Sequence, residues 1–185
     1  ALKAVKTLLV SSKGTIQGQS LDMISKVSSK GMSSTDITMQ GMSMMKQVIG
    51  DKIGYQTSRG QKKNIEGAEL IKEKKEAVPF IELGLLVDKT IALTGIETIN
   101  GQDAYVIQVG ASRHFYDVKT GLRIASENES GEGAQKRKVI TSFNDYVDVK
   151  GVKVPYKITL DVGMPLEFIT QEVKINEGVT DKDFE

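Results

Sequence analysis

Residues 97–109, with the sequence ETINGQDAYVIQV, decide the fold class of this chain. Asn100-Gly101 is the strongest short signal for a β-hairpin, because both central residues of its tight turn need a positive φ angle. After the turn, Tyr105, Ile107 and Val109 alternate with other residues, which is typical of a strand that buries one face. The stretch therefore predicts two antiparallel strands joined by a two-residue turn.

The residues that follow repeat this pattern of strands and turns. Lys119-Thr120-Gly121 and Lys150-Gly151 are further turn signals. We expect residues 138–149 and 152–162 to pair as strands across the second of these turns. The C-terminal half is thus predicted to be a run of antiparallel strands.

Three other segments complete the prediction for this half. The polar, Gly-rich residues 128–134 are expected to form a loop, and residues 166–175 a last strand after Pro165. The tail, residues 181–185, shows no recognisable cap, and we expect it to end without one.

The N-terminal half gives the same signal after a different start. Leu2, Val5, Leu8 and Leu9 stand at helical spacing and predict a short helix within residues 1–9. Residues 15–27 alternate apolar and polar side chains and predict one or two strands. Residues 33–49 continue this pattern, and residues 54–57 predict another strand.

Residues 67–87 interrupt the β pattern. Residues 69–77 are helix formers of alternating charge, and Pro79 then breaks the helix because it lacks an N–H and clashes with the preceding turn. The apolar residues 80–87 predict a second short helix. The chain as a whole is predicted to be mainly β (α+β), an antiparallel meander of about eight to eleven strands with a helical insert.

The composition excludes several classes of protein. The chain has 185 residues, enough for one domain with a buried core, and its 39% hydrophobic and 26% charged residues exclude collagen-like, membrane-spanning and disordered chains. Lys and Arg number 25 against 24 Asp and Glu, so no strong positive field exists to hold nucleic acid. Because the sequence begins at Ala1 without Met, we expect it to be excised from a longer chain.

Catalytic and metal-binding residues are scarce. The chain has no Cys and a single His, His114, whereas zinc sites take three or four ligands that are mostly Cys and His. Nucleophilic catalysis of the Cys-His or Ser-His-Asp type would depend on His114, which no other residue accompanies at a motif spacing. We expect His114 to be structural or superficial, and the domain to have no catalytic residues, no metal and no cofactor.

The methionines are the most informative side chains. Met39, Met42, Met44 and Met45 fall within seven positions, and Met23 precedes them. Methionine fills irregular apolar space and adapts to variable ligands, so two interpretations stay open: core filler, or the lining of a cavity for flexible apolar ligands. The candidate lining residues, from the strands and the helical lid, are Met23, Met39, Met42, Met44, Phe80, Leu83 and Leu86.

The order of the segments resembles the periplasmic lipoprotein-carrier (Lol-type) superfamily. Within it, the chain is most similar to the domain at the C-terminal end of insulinase-type zinc peptidase homologues of Bacteroidetes-like bacteria. The similarity extends over nearly the whole chain. The segments that carry it, together with Met-rich strands after the first, are Lys13-Gly14-Thr15-Ile16-Gln17-Gly18, Glu66-Gly67-Ala68-Glu69-Leu70, Ala77-Val78-Pro79-Phe80-Ile81-Glu82-Leu83, Ile99-Asn100-Gly101-Gln102-Asp103-Ala104-Tyr105-Val106, Phe115-Tyr116-Asp117-Val118-Lys119-Thr120-Gly121-Leu122 and Asp148-Val149-Lys150-Gly151-Val152-Lys153-Val154-Pro155-Tyr156.

This resemblance implies a single domain over residues 1–185 with a strongly curved, unclosed antiparallel sheet, a half-barrel. Helices would cover its concave, apolar face, which holds acyl chains in the carriers. The resemblance also implies a periplasmic or outer-envelope location. The peptidase relatives carry an H-x-x-E-H zinc motif in an upstream domain, and this chain has no such motif.

Two function hypotheses follow from these observations. The first is a non-catalytic envelope binding module whose hydrophobic hollow takes acyl chains or an apolar peptide. The second is a non-catalytic accessory or interaction domain of an insulinase-type zinc peptidase, with an upstream peptidase domain as its partner and with its own side chains filling the hollow. A third, an enzyme that uses His114, suggests no substrate.

Overall fold

The computed structural model describes residues 1–58, 60–86, 88–130, 137–161 and 163–185. This part of the chain is mainly β, with thirteen strands, two α-helices and short 3₁₀ helices at Leu2–Ala4 and Asp181–Phe184. The strands are β1 (Thr7–Ile16), β2 (Gln19–Ser28), β3 (Met32–Met39), β4 (Met42–Ile49), β5 (Gly54–Ser58), β6 (Gln61–Asn64), β7 (Ala92–Ile99), β8 (Gln102–Val109), β9 (Ser112–Asp117), β10 (Arg123–Ser130), β11 (Arg137–Val149), β12 (Val152–Asp161) and β13 (Pro165–Ile175). The helices are α1 (Gly67–Glu76) and α2 (Ile81–Leu85).

The described strands form one antiparallel sheet. Their hydrogen-bonded order is β6-β5-β4-β3-β2-β1-β13-β12-β11-β10-β9-β8-β7. Within the described residues β6 and β7 end this order, so the sheet does not close into a barrel. The mainly-β, antiparallel and unclosed character predicted from the sequence is confirmed.

Tight turns explain why there are more strands than predicted. Asn100-Gly101 and Lys150-Gly151 have positive φ angles of 51° and 77°, and of 52° and 78°, as the predicted two-residue hairpins require. Gln17-Gly18 and Gln40-Gly41 have the same backbone signs, with φ angles of 49° and 78°, and of 51° and 80°. Gln40-Gly41 divides residues 33–49, which the sequence pattern left undivided, because Gln-Gly is a weaker hairpin signal than Asn-Gly. Gln17-Gly18 separates β1 from β2, a division that the prediction of one or two strands within residues 15–27 left open.

The predicted N-terminal helix is wrong beyond one 3₁₀ turn, since Thr7 begins β1. Leu8 and Leu9 are adjacent in this strand and are only 8% and 9% exposed, so β1 is buried on both of its faces. A strand with apolar residues on both faces shows no alternation of apolar and polar side chains. The spacing of the apolar residues within residues 1–9 was therefore the same as in a helix.

One smaller prediction also needs correction. Residues 128–130 of the predicted loop continue β10, and residues 131–134 lie outside the described part of the chain. That the tail ends without a cap stays a prediction, but its 3₁₀ helix begins with one: the Thr180 side chain accepts from the Asp183 N–H, and the Asp183 carboxylate accepts from the Thr180 N–H at 2.7 Å. Such a capping box is a local signal of Thr followed three residues later by an acidic residue.

The chain divides into two compact units. Unit 1 comprises Ala1–Leu86, Asp148–Val154 and Phe168–Glu185, and unit 2 comprises Val87–Val147 and Pro155–Glu167. Unit 1 has two buried clusters, Val5, Leu8, Val152, Val154 and Ile175 in one and Ile49, Ile65 and Ala77 in the other, and unit 2 has one, Ala104, Val106, Phe115, Ile124 and Ala125. That residues 1–185 form a single domain stays a prediction.

Helix α1 and Phe80, the residue before α2, pack on the same face of the strands of unit 1. In α1, Leu70 packs against Ile49, and Phe80, the residue before α2, packs against the cluster that contains Leu8. The strand register connects Leu8 in β1 with Ile49 in β4 through directly paired residues of β2 and β3, and paired residues share a face. We call this side of β1–β5 the helix face.

Candidate functional site

Six apolar side chains lie side by side on the helix face of β2, β3 and β4. The register pairs Met23 with Ile37 and Ile37 with Met45, which makes one row across the three strands. It also pairs Leu21 with Met39 and Met39 with Met42, which makes a second row two residues further along. We call the two rows together the methionine patch: Leu21, Met23, Ile37, Met39, Met42 and Met45.

The methionine patch is neither a closed core nor an open surface. Leu21 is 5% exposed, Met42 is 63% exposed, and the other four side chains are half-buried. The buried clusters of unit 1 consist of other residues. The patch is therefore an apolar surface that solvent reaches in part.

A row of polar side chains lies on the helix face, between the methionine patch and the row of paired residues that runs from Leu8 to Ile49. Ser25, Thr35 and Gln47 pair across β2, β3 and β4 on the helix face, and the Ser25 and Thr35 hydroxyl oxygens are 3.3 Å apart. Gln47 donates from Nε2 to the Glu73 carboxylate in α1 at 3.5 Å. Burial raises the pKa of Glu73, and the nearby Glu76 raises it further. The apolar surface thus has hydrogen-bonding groups along one side.

An irregularity in β3 and β4 decides which methionine joins the patch. Ile37 pairs with Met45 and Thr38 with Ser43, so the register passes over Met44. Simple alternation from Met42 would select Met44, as the sequence interpretation did, and the extra residue brings Met45 opposite Ile37 instead. Leu21 and Ile37 were also missed, although alternation from Met23 and Met39 indicates both of them. Met44 is half-buried, and its role in ligand binding stays a prediction.

The helical candidates take different positions. Phe80 is half-buried and packs against the cluster of Val5, Leu8 and Ile175. Leu83 is half-buried in α2, and Leu86, just after α2, is 76% exposed. Phe80 therefore contributes to the packing of unit 1, and contact of these three residues with a ligand stays a prediction.

His114 lies in β9 of unit 2, whereas every predicted lining residue belongs to unit 1. Its Nδ1 is 2.9 Å from Oγ of Ser126, the residue directly opposite in β10, and the two residues are 9% and 5% exposed. This is a buried cross-strand hydrogen bond, in keeping with a structural role. The sequence interpretation missed Ser126, because the pairing depends on the register of β9 and β10.

A cavity of about 190 Å³ lies on the opposite face of unit 1, beside the C-terminal segment. It is lined by Lys6, Thr7, Ser28, Ser29, Lys30, Val179, Thr180, Asp181 and Phe184. Phe184 is 3% exposed, Asp183 pairs with Lys26, and Lys30 pairs with Asp181 at 3.3 Å. The cavity is the space left where the C-terminal 3₁₀ helix docks against the ends of β1 and β2.

Neither a metal centre of the usual ligands nor a membrane-spanning helix is found in the described ranges. No group of three or more His, Cys, Asp or Glu side chains there is arranged to hold a metal ion. Of the helices described, none combines the length and the apolar character needed to cross a bilayer.

The comparisons with known proteins give structural matches. No protein-family model and no curated protein matches the sequence. The LolA superfamily protein NE2245 from Nitrosomonas europaea is similar in structure, with a TM-score of 0.59 and 12% identity over 98% of this chain and 90% of that one. A DUF1329 family protein from Desulfovibrio piger has a TM-score of 0.56 and 13% identity over 100% of this chain and 91% of that one.

These likenesses show the fold. At 12% and 13% identity, they confirm the Lol-type resemblance of the sequence at the level of the chain's architecture. They give no support to the closer relationship with insulinase-type peptidase homologues. The chain therefore has the fold of LolA superfamily and DUF1329 proteins.

Proposed function

We propose that this chain is a non-catalytic binding module that holds a flexible apolar ligand, an acyl chain or an apolar peptide, against the methionine patch. The observation that carries the proposal is the patch itself: two adjacent apolar rows, largely half-buried, on the face where α1 and Phe80 pack. Four of its six side chains are methionines, which adapt to ligands of variable shape.

The strength of binding follows from the apolar area that a ligand buries. Each buried methylene contributes about 0.8 kcal/mol. Fifteen methylenes would then contribute about 12 kcal/mol, and association costs at least about 4 kcal/mol, which leaves a dissociation constant near 1 μM. A ligand with about ten methylenes would bind only in the millimolar range by the same arithmetic.

The polar row beside the patch favours ligands with a neutral head. Ser25, Thr35 and Gln47 offer hydroxyl and amide groups that can hydrogen-bond to an ester or amide. Glu73 lies within hydrogen-bonding distance of Gln47, and an ionised carboxylate there repels a free fatty-acid carboxylate. We therefore expect acyl esters or amides to bind more tightly than free acids of equal length.

The fold and the sequence resemblance support a carrier-like role in the cell envelope. The Lol-type resemblance implies a hollow that holds acyl chains and a periplasmic or outer-envelope location, and the structural similarity to a LolA superfamily protein agrees with that family assignment of the fold. The strong curvature of the sheet and the coverage of a concave face by the helices belong to this proposal. The alternative, an accessory domain of a zinc peptidase, rests on the sequence resemblance alone.

Displacement of a fluorescent acyl probe from the delipidated protein tests the proposal. Met42→Lys places a charge in the patch at a position that is 63% exposed, and Met23→Lys places one in its centre. Ile24→Lys is the matched control, because Ile24 neighbours Met23 in β2, is 44% exposed and pairs with Asp36 on the opposite face. Circular dichroism verifies that each variant is folded.

We expect saturable binding that both patch variants lose and the control retains, with affinity rising about fourfold per added methylene. Equal loss in the control would place the site elsewhere. Absence of binding to the wild-type protein at every chain length would mean that the chain's own side chains fill the space. The accessory-domain hypothesis would then become the better one.

A further inference from the structure

We propose that the end of the β3–β4 hairpin binds a soft monovalent metal ion, Cu(I) or Ag(I), through the thioether sulfurs of Met39, Met42 and Met45. This inference goes beyond the apolar-ligand function and does not depend on it. It concerns the sulfur atoms of the methionine patch, whereas apolar binding concerns only their hydrophobic surface.

The hairpin brings two of the sulfurs together. The two-residue turn Gln40-Gly41 joins β3 to β4, and its φ angles of 51° and 80° are those of a type I′ turn. Met39 and Met42 flank this turn and are direct cross-strand partners. The Cβ atoms of such partners are about 4.5–5.5 Å apart, so the two side chains project next to each other from the same face of the sheet.

The register irregularity adds the third sulfur. Met45 pairs with Ile37, two residues before Met39, and therefore lies diagonally across from Met39 on the same face. Diagonal neighbours are about 7–8 Å apart, which long side chains can span. Methionine has three rotatable bonds in its side chain, so the three thioethers can converge on one ion.

The chemistry of the surroundings selects the kind of ion. Thioether sulfur is a soft, uncharged ligand that favours Cu(I), while carboxylate and imidazole suit harder divalent ions. The residues that continue the two rows into β1 and β5 are uncharged: Ser12, Gly14 and Ser58. Acidic Asp36 lies on the opposite face, where Ser43 donates to its carboxylate at 2.7 Å.

The exposure of the hairpin distinguishes a binding site from core filler. Met42 is 63% exposed at the end of the hairpin, so solvent and dissolved ions reach this residue. A methionine that only fills a core gap would be buried. Of the seven methionines in the chain, four lie within residues 39–45, whereas Met32 is on the opposite face of β3 and Met164 lies outside this unit.

Two titrations test the proposal on the whole chain. Cu(I) is added without oxygen in competition with the chromogenic chelator bicinchoninate, and Ag(I), which is not redox-active under these conditions, is followed by calorimetry. The variant Met39→Leu/Met42→Leu/Met45→Leu keeps the apolar volume and removes the sulfurs. The matched control, Met32→Leu/Met164→Leu, removes two methionines outside the site.

We expect one equivalent of either ion to bind to the wild-type protein and to the control, and the triple variant to lose affinity by at least about tenfold. Binding of the acyl probe to the wild-type protein is measured separately from binding of the two ions, so failure of the metal site and failure of the proposed function are distinguishable. Should the triple variant not fold, NMR of ¹³C-methyl methionine decides: Ag(I) must shift the methyl signals of Met39, Met42 and Met45 and leave those of Met32 and Met164 in place. Binding that the triple variant retains, shifts spread over all methionines, or no binding to the wild-type protein would overturn the inference.

Discussion

Gly54→Ala tests how closely α1 is held against the helix face. Gly54 begins β5 opposite Ile49, and a Cβ at this position would lie 2.8 Å from Cδ1 of Leu70 in α1. It would also lie 3.0 Å from the Ile65 carbonyl oxygen and 3.0 Å from its Cβ. Leu70 can rotate away, but Ile65 is 3% exposed and its N–H donates to the Gly54 carbonyl at 2.8 Å.

The expected loss of stability follows from these contacts. Overpacking of this kind costs about 1–3 kcal/mol, and replacing glycine in a strand returns about 0.4–1 kcal/mol through the unfolded state. Taking the middle of each range, the net destabilisation is about 1.3 kcal/mol. With a urea dependence of about 2 kcal/mol/M for a chain of this size, the unfolding midpoint should fall by roughly 0.6 M.

Gly84→Ala is the matched control in α2. A Cβ at Gly84 meets no other atom within 4 Å, and alanine is favoured over glycine inside a helix by about 1 kcal/mol. The control's urea midpoint should therefore stay the same or rise. A midpoint for Gly54→Ala that equals or exceeds that of the wild-type protein would refute the close packing of α1, and so would an equal fall in both variants.

Three further predictions concern the C-terminal segment and α1. Gly50→Ala should release the C-terminal 3₁₀ helix, because the new Cβ would overlap the Phe184 carbonyl oxygen. Faster hydrogen exchange of the C-terminal segment would show this release, and unchanged exchange would contradict the prediction. Burial raises the pKa of Asp183, but hydrogen bonds from Lys26 and from the capping threonine outweigh it and lower the pKa below the usual range. The stability that ionised Asp183 gives is therefore present above the usual carboxyl pKa and is lost as the pH falls through the lowered pKa of the folded state. Asp183→Asn should abolish this loss of thermal stability in acid. Since the pKa of Glu73 is raised by burial and by neighbouring glutamates, its ionisation destabilises the fold as the pH rises, so Glu73→Gln should increase the free energy of unfolding at neutral pH and have no such effect in acid.

Local signals in the sequence were sufficient to predict the elements whose backbone conformation requires particular residues. Asn100-Gly101 and Lys150-Gly151 predicted two hairpins because their turns need positive φ angles, and the structure has both. The helix formers before Pro79 predicted α1, and the apolar residues after it predicted α2. The concentration of methionines in β3 and β4 was equally plain from the sequence and located the candidate site.

Which residues belong to the candidate site depended on contacts between residues that are far apart in the sequence. The sequence interpretation named Met44 as a lining residue, but the register between β3 and β4 places Met45 opposite Ile37. The N-terminal residues had helical spacing, yet β1 is a strand because its two faces are buried by different parts of the chain, Leu8 beside Ile175 and Leu9 on the other side. A register and a second buried face are both set by residues far away in sequence, so no local pattern contains them.

The sequence by itself determined the mainly-β class, the two helices and the strongest turns. Each of these follows from composition or from the conformational preferences of a few adjacent residues. The tertiary structure decided the strand order, the common face on which α1 and Phe80 pack, and the assembly of the methionine patch. These depend on which strands pair and in which register, and pairing is a property of the folded chain as a whole.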